Sequence, residues 1–249
     1  MAAAPVPSGT EAYSKLYFPS TDGLLRLGDV VPNFEANTTH GKIVFHDWLD
    51  GKWAILFSHP DDFTPVCTTE IGRMALKYDS FKAKGVKVVA LSCNDISSHN
   101  VWLKDVVAHC DNKIGIDFPM IADPTREIAI KFGMLDPTNK DTGSMPLTAR
   151  SVFIIGPDKK LKLSINYPAS VGRNMDEIER VVDALMLSWE KSIATPANWP
   201  HNHKDQGMEG WVFLLPTVTK DDADKHFPKH KELDMPSGKP YMRLTPSGQ

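Results

Sequence analysis

The sequence predicts an α/β fold, a sheet covered by helices, followed by a smaller C-terminal arm. Two observations carry this. From Lys42 onward, short apolar runs alternate with segments whose apolar residues recur at helical spacing, and the run Trp53-Ala54-Ile55-Leu56-Phe57 is apolar throughout, as a strand buried on both faces requires. After Thr195 the texture changes: seven of the 19 prolines and 14 charged residues fall in the last 54 positions, around one apolar run, Trp211-Val212-Phe213-Leu214-Leu215.

The elements follow in order. Lys42-Ile43-Val44-Phe45 and the Trp53 run read as strands. Thr64-Pro65 opens a helix, with proline at its first position, and Ile71, Met74, Tyr78 and Phe81 stripe one face until Gly85 stops it. Residues 86–91 form the next strand. Trp102, Leu103, Val106, Val107 and Cys110 mark a second helix, residues 118–122 a short strand, and residues 124–132 a short helix that ends at Gly133. Residues 152–155 and 161–165 pair around the turn Gly156-Pro157-Asp158-Lys159, so a hairpin is expected. Asn174 with Glu177 three residues on resembles a capping box, and Ile178, Val181, Val182, Leu185 and Trp189 stripe a long final helix. The expected organisation is a flexible extension over 1–23, a catalytic domain over 24–195, and an arm over 196–249. So proline-rich an arm is expected to have no core of its own and to lie against the main domain or another copy.

Composition excludes several functions. With 28 Lys+Arg against 31 Asp+Glu the chain is slightly acidic, at −3, and lacks the basic excess that neutralises phosphates, so no nucleic-acid partner is expected. No apolar run approaches the roughly 20 residues that cross a bilayer, so no transmembrane segment is expected. Three cysteines, at 67, 93 and 110, contain no CxxC and cannot build a disulfide framework, which points to reduced thiols and a cytoplasmic setting; organellar targeting stays open. His59, Cys67 and His201-x-His203 lack ligand pairs at metal spacing, so no metal site is expected.

The chemistry lies in Ser58-His59-Pro60-Asp61-Asp62-Phe63-Thr64-Pro65-Val66-Cys67-Thr68-Thr69-Glu70. This segment runs from the end of a buried strand into the first turn of a helix. With Thr64 as N-cap, Cys67 is the third helical residue, where unpaired N–H groups and the helix dipole favour an anion, so the position suits a thiolate. Spacing of three puts the Thr64 hydroxyl and the Cys67 sulfur on one side of the helix. Ionisation alone does not make a fast peroxide-reducing cysteine, because thiolate nucleophilicity falls with pKa; donors aimed at the departing oxygen are also required. On the residues alone, Thr64 also reads as a simple cap, Arg150 as a surface charge, and Cys93 and Cys110 as packing.

The pattern Pro60-x-x-x-Thr64-x-x-Cys67 resembles the active-site motif of peroxiredoxins of the AhpC/TSA type, and the longer string around it is similar to the 1-Cys, peroxiredoxin-6 subfamily. The likeness extends through GDVVPNFEANT at 28–38, Leu147-Thr148-Ala149-Arg150, GPDKKLKLS at 156–164, YPASVGRN at 167–174 and MPSGKPY at 235–241. It implies a thioredoxin-like fold with a central mixed sheet and a C-terminal peroxiredoxin arm, a homodimer or higher homo-oligomer, and reduction of hydrogen peroxide and organic hydroperoxides. Cys67 would be the peroxidatic nucleophile that becomes a sulfenic acid. Thr64 would orient the peroxide, Arg150 would stabilise the thiolate and the leaving hydroxide, Pro60 would shield the sulfenate, and His59 would support the pocket. No cofactor is implied. With no resolving cysteine in the arm, an external thiol, glutathione or another small or protein thiol, would complete the cycle. A redox-regulated chaperone or sensor would use the same site; a thiol–disulfide reductase would need a second nearby thiol. Vertebrate members resemble lipases at a Gly-x-Ser-type segment, but here Lys52 stands at the serine position beside His46 and Asp158, so no phospholipase activity is expected by that route.

Overall fold

The computed structural model describes residues 25–248, and the expected extension over 1–23 lies outside them. The chain divides into two units, the first ending at Met175 and the second beginning at Asp176.

The first unit is a seven-stranded sheet with helices. Its elements are β1 (Glu35–Thr38), β2 (Gly41–Val44), α1 (Phe45–Leu49), β3 (Ala54–Ser58), α2 (Pro65–Ala83), β4 (Lys87–Ser92), α3 (Ile96–His109), β5 (Met120–Ala122), α4 (Glu127–Lys131), β6 (Leu135–Lys140), β7 (Pro146–Thr148), β8 (Arg150–Ile155) and β9 (Leu161–Tyr167). The strand order is β2-β1-β5-β4-β3-β8-β9. β3 runs parallel to β4 and antiparallel to β8, so the sheet is mixed and changes sense at β3. All five residues of β3 and all six of β8 are buried, the pattern of strands covered on both faces.

Alternation along these strands sends Ala54, Leu56, Val89, Leu91, Phe153 and Ile155 to one face. There they join Phe34, Phe45, Phe132 and Met134 in one apolar cluster. Each fully buried Val, Leu, Ile, Phe or Met among them contributes roughly 1.5–3 kcal/mol. On the other face α2 packs against β4 and α3 against β5, and the two helices pack on each other. Gly72 permits that approach: a Cβ built there would lie 2.7 Å from the Cys110 sulfur at the end of α3. The structure therefore gives Cys110 a packing environment, as expected.

Four elements of this unit were not anticipated. α1 is too short to show a period, and β1, which forms a hairpin with β2 at Thr38↔Gly41, joins the rest of the sheet through Thr38↔Ile121 of β5. β6 and β7 form a separate two-stranded sheet with a register shift; β6 contains Pro137 and shows no alternation of burial.

The second unit corrects the expected arm. It contains most of α5 (Met175–Glu190), β10 (Ile193–Ala194), β11 (Trp211–Leu214), α6 (Lys220–His226), β12 (Lys231–Glu232) and β13 (Arg243–Pro246), with a four-stranded sheet in the order β10-β11-β13-β12. This unit has an apolar cluster of its own: Ile193, Val212, Leu214, Val218, Ala223 and Phe227, with Leu187, Trp199 and Leu215 packed against it. A boundary after Thr195 cuts off Leu187 and Ile193, which is why the tail alone looked coreless.

Candidate active site

The site forms where β3 ends and α2 begins. Thr64 occupies the N-cap with extended backbone and Pro65 the first turn, which makes Cys67 the third helical residue, as expected. The Thr64 hydroxyl does not cap the helix; it donates to the Asp61 carbonyl at 2.9 Å, closing the loop that precedes the helix. Phe63, just before it, sits at φ 54°, a left-handed conformation that a non-glycine residue adopts at a cost. Pro60 is buried, and the Cys67 side chain is 0% exposed.

Arg150, the first residue of β8, reaches that thiol. Its Nη1 lies 3.3 Å from Cys67 Sγ and 2.8 Å from Glu70 Oε2. Nε and Nη2 both donate to the Ala169 carbonyl, at 3.0 and 2.6 Å, which fixes the plane of the guanidinium. The strand is aligned with β3 by Ser58, whose hydroxyl donates to the Ala149 carbonyl at 2.7 Å and accepts from the Ser151 N–H at 3.1 Å. Arg150 is thus placed by the β3–β8 register rather than by anything near it in sequence.

Glu70 and Arg173 complete the charge cluster, and neither was singled out from sequence. Glu70 lies one helical turn after Cys67 and accepts from Arg150 and, through both oxygens, from the Arg173 backbone and guanidinium at 2.7 to 2.9 Å. Burial alone would raise the Glu70 pKa; the hydrogen bonds and charge of Arg173, with Arg150 behind them, hold it below the usual carboxylate value. Arg173 also donates to the Ser151 carbonyl at 2.9 Å and lies over the Phe57 ring at 5.2 Å. Two guanidiniums share one carboxylate, so the cluster carries a net positive charge that a thiolate at Cys67 would neutralise. Both residues lie within strings that carried the family likeness, and Glu70 had the further signal of i,i+3 spacing from Cys67.

His59 lies at the root of the loop. Its backbone N–H donates to the Leu91 carbonyl at 3.0 Å, and its carbonyl accepts from the Thr148 hydroxyl at 2.6 Å. Its ring is fully buried beside Trp102, at 5.0 Å between centroids, with Nε2 at 2.9 Å from Asp62 Oδ1. Burial pushes the His59 pKa down, and His99 and Arg173 push the same way against the pull of Asp62.

The other sequence candidates lie apart from this chemistry. The half-buried Cys93 thiol is pushed up to about 11, chiefly by burial. His46 Nε2 is 2.8 Å from the Val31 carbonyl, Asp158 pairs with Lys162, and Lys52 is exposed. Among the described residues no His/Cys/Asp/Glu group is placed to hold a metal ion, and no helix is long and apolar enough to cross a membrane.

Known proteins share this arrangement of fold and sequence. The model of the AhpC/TSA family matches residues 27–164. The chain is 55% identical to the peroxiredoxin-6 of Homo sapiens over 229 residues, which are 90% of this chain and 98% of that one. It is 53% identical to the peroxiredoxin-6 of Gallus gallus over 227 residues, with the same coverage of both chains. Among solved structures it superposes on the peroxiredoxin 6 of Arenicola marina with a TM-score of 0.83, at 50% identity over 90% of this chain and 98% of that chain. The yeast mitochondrial 1-Cys peroxiredoxin follows at 0.77 and 40% identity, over 89% and 99%. The chain belongs to the AhpC/TSA family, as a 1-Cys peroxiredoxin. Its fold is thioredoxin-like, with helices flanking a central mixed sheet. As a peroxiredoxin it is a thiol peroxidase: one peroxidatic cysteine reduces a hydroperoxide, and an external thiol restores it.

Proposed function

We propose that Cys67 is the peroxidatic cysteine of this peroxiredoxin and that it reduces hydrogen peroxide and organic hydroperoxides. The reading rests on one observation: a fully buried thiol at a helix start lies 3.3 Å from Arg150 within a cluster that is short of one negative charge. The thiolate attacks one peroxide oxygen, the O–O bond breaks, and the departing hydroxide or alkoxide takes up a proton. Cys67 is left as a sulfenic acid. An external thiol condenses with it, releasing water and forming a mixed disulfide; a second thiol frees Cys67 and leaves as the disulfide.

In this scheme the Arg150 N–H groups stabilise the thiolate and the oxygen that departs. Thr64 orients the peroxide by hydrogen bonding, Pro60 shields the sulfenate, and His59 supports the loop that carries both. Glutathione or another small or protein thiol serves as reductant; the yeast mitochondrial relative is resolved through glutathione and thioredoxin systems. The assembly is a homodimer or higher homo-oligomer in the cytoplasm, a reading supported by the family likeness and the unpaired cysteines and testable by sedimentation and cell fractionation.

Stopped-flow mixing of reduced protein with hydrogen peroxide, with mass spectrometry to locate the oxidised residue, tests the central claim. The expected result is oxidation at Cys67 and loss of the fast phase in Cys67→Ser; a Cys67→Ser protein that reacts as fast as wild type would overturn it. Without reductant, excess peroxide is expected to drive Cys67 to sulfinic or sulfonic acid.

A further inference from the structure

Behind the peroxide site lies a buried polar cluster of which the scheme above uses only His59. Asp62 is 3% exposed, and its two oxygens meet three donors: His59 Nε2 at 2.9 Å on Oδ1, and His99 Nδ1 at 2.8 Å with the Ser98 hydroxyl at 2.6 Å on Oδ2. Ser98 and His99 lie in the first turn of α3, whose N-cap Asp95 accepts from the Ser98 backbone at 2.8 Å. The loop side is held too: the Asp62 N–H donates to Asn94 Oδ1 at 3.1 Å, and Asn94 Nδ2 donates to Asp61 Oδ1 at 2.6 Å.

Donor and acceptor roles assign the protons. His99 presents Nδ1 to a carboxylate and Nε2 to the Ile121 carbonyl at 3.2 Å; both are acceptors only, so both ring nitrogens carry hydrogen. His59 presents Nε2 to the same carboxylate, so that nitrogen carries hydrogen as well. Its other nitrogen, Nδ1, is buried with no hydrogen-bond partner. A second N–H there would be an unsatisfied donor on a buried cation, whereas a bare lone pair costs less. Burial, His99 and Arg173 all oppose a charge on this ring. The two histidines on one carboxylate therefore differ: His99 is the charged partner and His59 the neutral one.

We propose that Ser98 and His99, acting through Asp62, are positioning residues for His59, holding its imidazole in the Nε2–H form with Nδ1 bare. In that form His59 can accept a hydrogen bond at Nδ1 but cannot donate one there. The proposal rests on the reading of His59 as a site residue. It extends the site inward by one shell, from the loop of Pro60 and Thr64 to the start of α3.

Nitrogen-15 NMR of histidine-labelled protein reads the assignment directly. The expected spectrum at neutral pH shows two protonated nitrogens for His99, and for His59 a protonated Nε2 with an unprotonated Nδ1. A protonated His59 Nδ1 with bare Nε2, or a bare nitrogen on His99, would overturn the proposal. Kinetics supply the second arm. Asp62→Asn can offer its amide hydrogens to His59 Nε2 and so force the other tautomer; the peroxide step should slow by about 10- to 100-fold, the usual loss when the partner that orients an imidazole is removed. His99→Leu should show a similar loss, and His99→Asn, whose amide nitrogen reaches the Nδ1 position, should restore most of it. If Asp62→Asn does not fold, the two His99 variants carry the test. Slow peroxide reduction in His59→Leu with wild-type rates in Asp62→Asn and His99→Leu would sink the positioning role and spare that of His59. A wild-type rate in His59→Leu would sink both.

Discussion

Glu70 and Asp62 are both buried carboxylates near the start of α2, and each is shared between two basic side chains. In both, burial alone would raise the pKa, and hydrogen bonds from the partners, Arg173 for Glu70 and the two histidines for Asp62, reverse the shift. The partners make the difference. Arginine stays protonated throughout the accessible pH range, so the field around Cys67 is fixed. Histidine titrates, so the cluster at the root of the loop owes its charge to geometry and dryness. The cations beside the sulfur cannot change charge, whereas the imidazoles that shape the loop can.

The largest expected effect would break the first half of that contrast. Glu70→Ala leaves two guanidiniums without their shared carboxylate in a buried setting, and should cost about 3–5 kcal/mol of stability. Urea unfolding measures it; a loss within the scatter of surface substitutions would mean that Glu70 is not the keystone of the cluster. Next, Arg150→Ala should slow the peroxide step by about 10²- to 10³-fold, the range for removing one donor aimed at developing charge. Stopped-flow kinetics with the second-order rate unchanged would remove Arg150 from the mechanism.

How much of this was legible in sequence depends on distance along the chain. β3, α2, β4 and the β8–β9 hairpin could be read because a continuous apolar run, a Thr-Pro start and a four-residue turn are local signals. Cys67 and Thr64 were readable for the same reason. Arg150 and Arg173 sit 83 and 103 residues from their partners, and only the family likeness pointed to the first. Asp61 and Asp62 are neighbours of identical chemistry; nothing in sequence says that Asp62 turns inward to the histidines while Asp61 meets Asn94. The β6–β7 pair escaped because both strands contain proline, β6 shows no alternation of burial and β7 is only three residues long.

A smaller effect sharpens the second half of the contrast. His59 is held neutral by burial, so its pKa is lowered on folding; its contribution to stability is present above the unfolded histidine value of about 6.5 and is lost as pH falls below it. Unfolding free energy should therefore fall between pH 7 and roughly pH 5, and His59→Gln should flatten the slope by at most one proton. An unchanged slope would show that the folded protein protonates this ring as readily as the unfolded chain does. The smallest effect is a control for burial that a nearby cation, Arg126, does not offset. Cys93, pushed up to about 11, should be alkylated slowly at pH 7.5, and Cys93→Ser should keep the wild-type peroxide rate.

The separation of Cys67 from Arg150 also bears on how the chain is made. The guanidinium that faces the sulfur is encoded 83 residues downstream, so at about 5–20 residues per second the ribosome needs on the order of 4 to 17 s to deliver it. Through that interval, and until β8 docks beside β3, the nascent chain carries an ordinary thiol. On the role proposed for Arg150, reactivity toward peroxide is conferred only when β8 docks beside β3, and a chain that has not reached that point is spared the oxidation that its finished form undergoes.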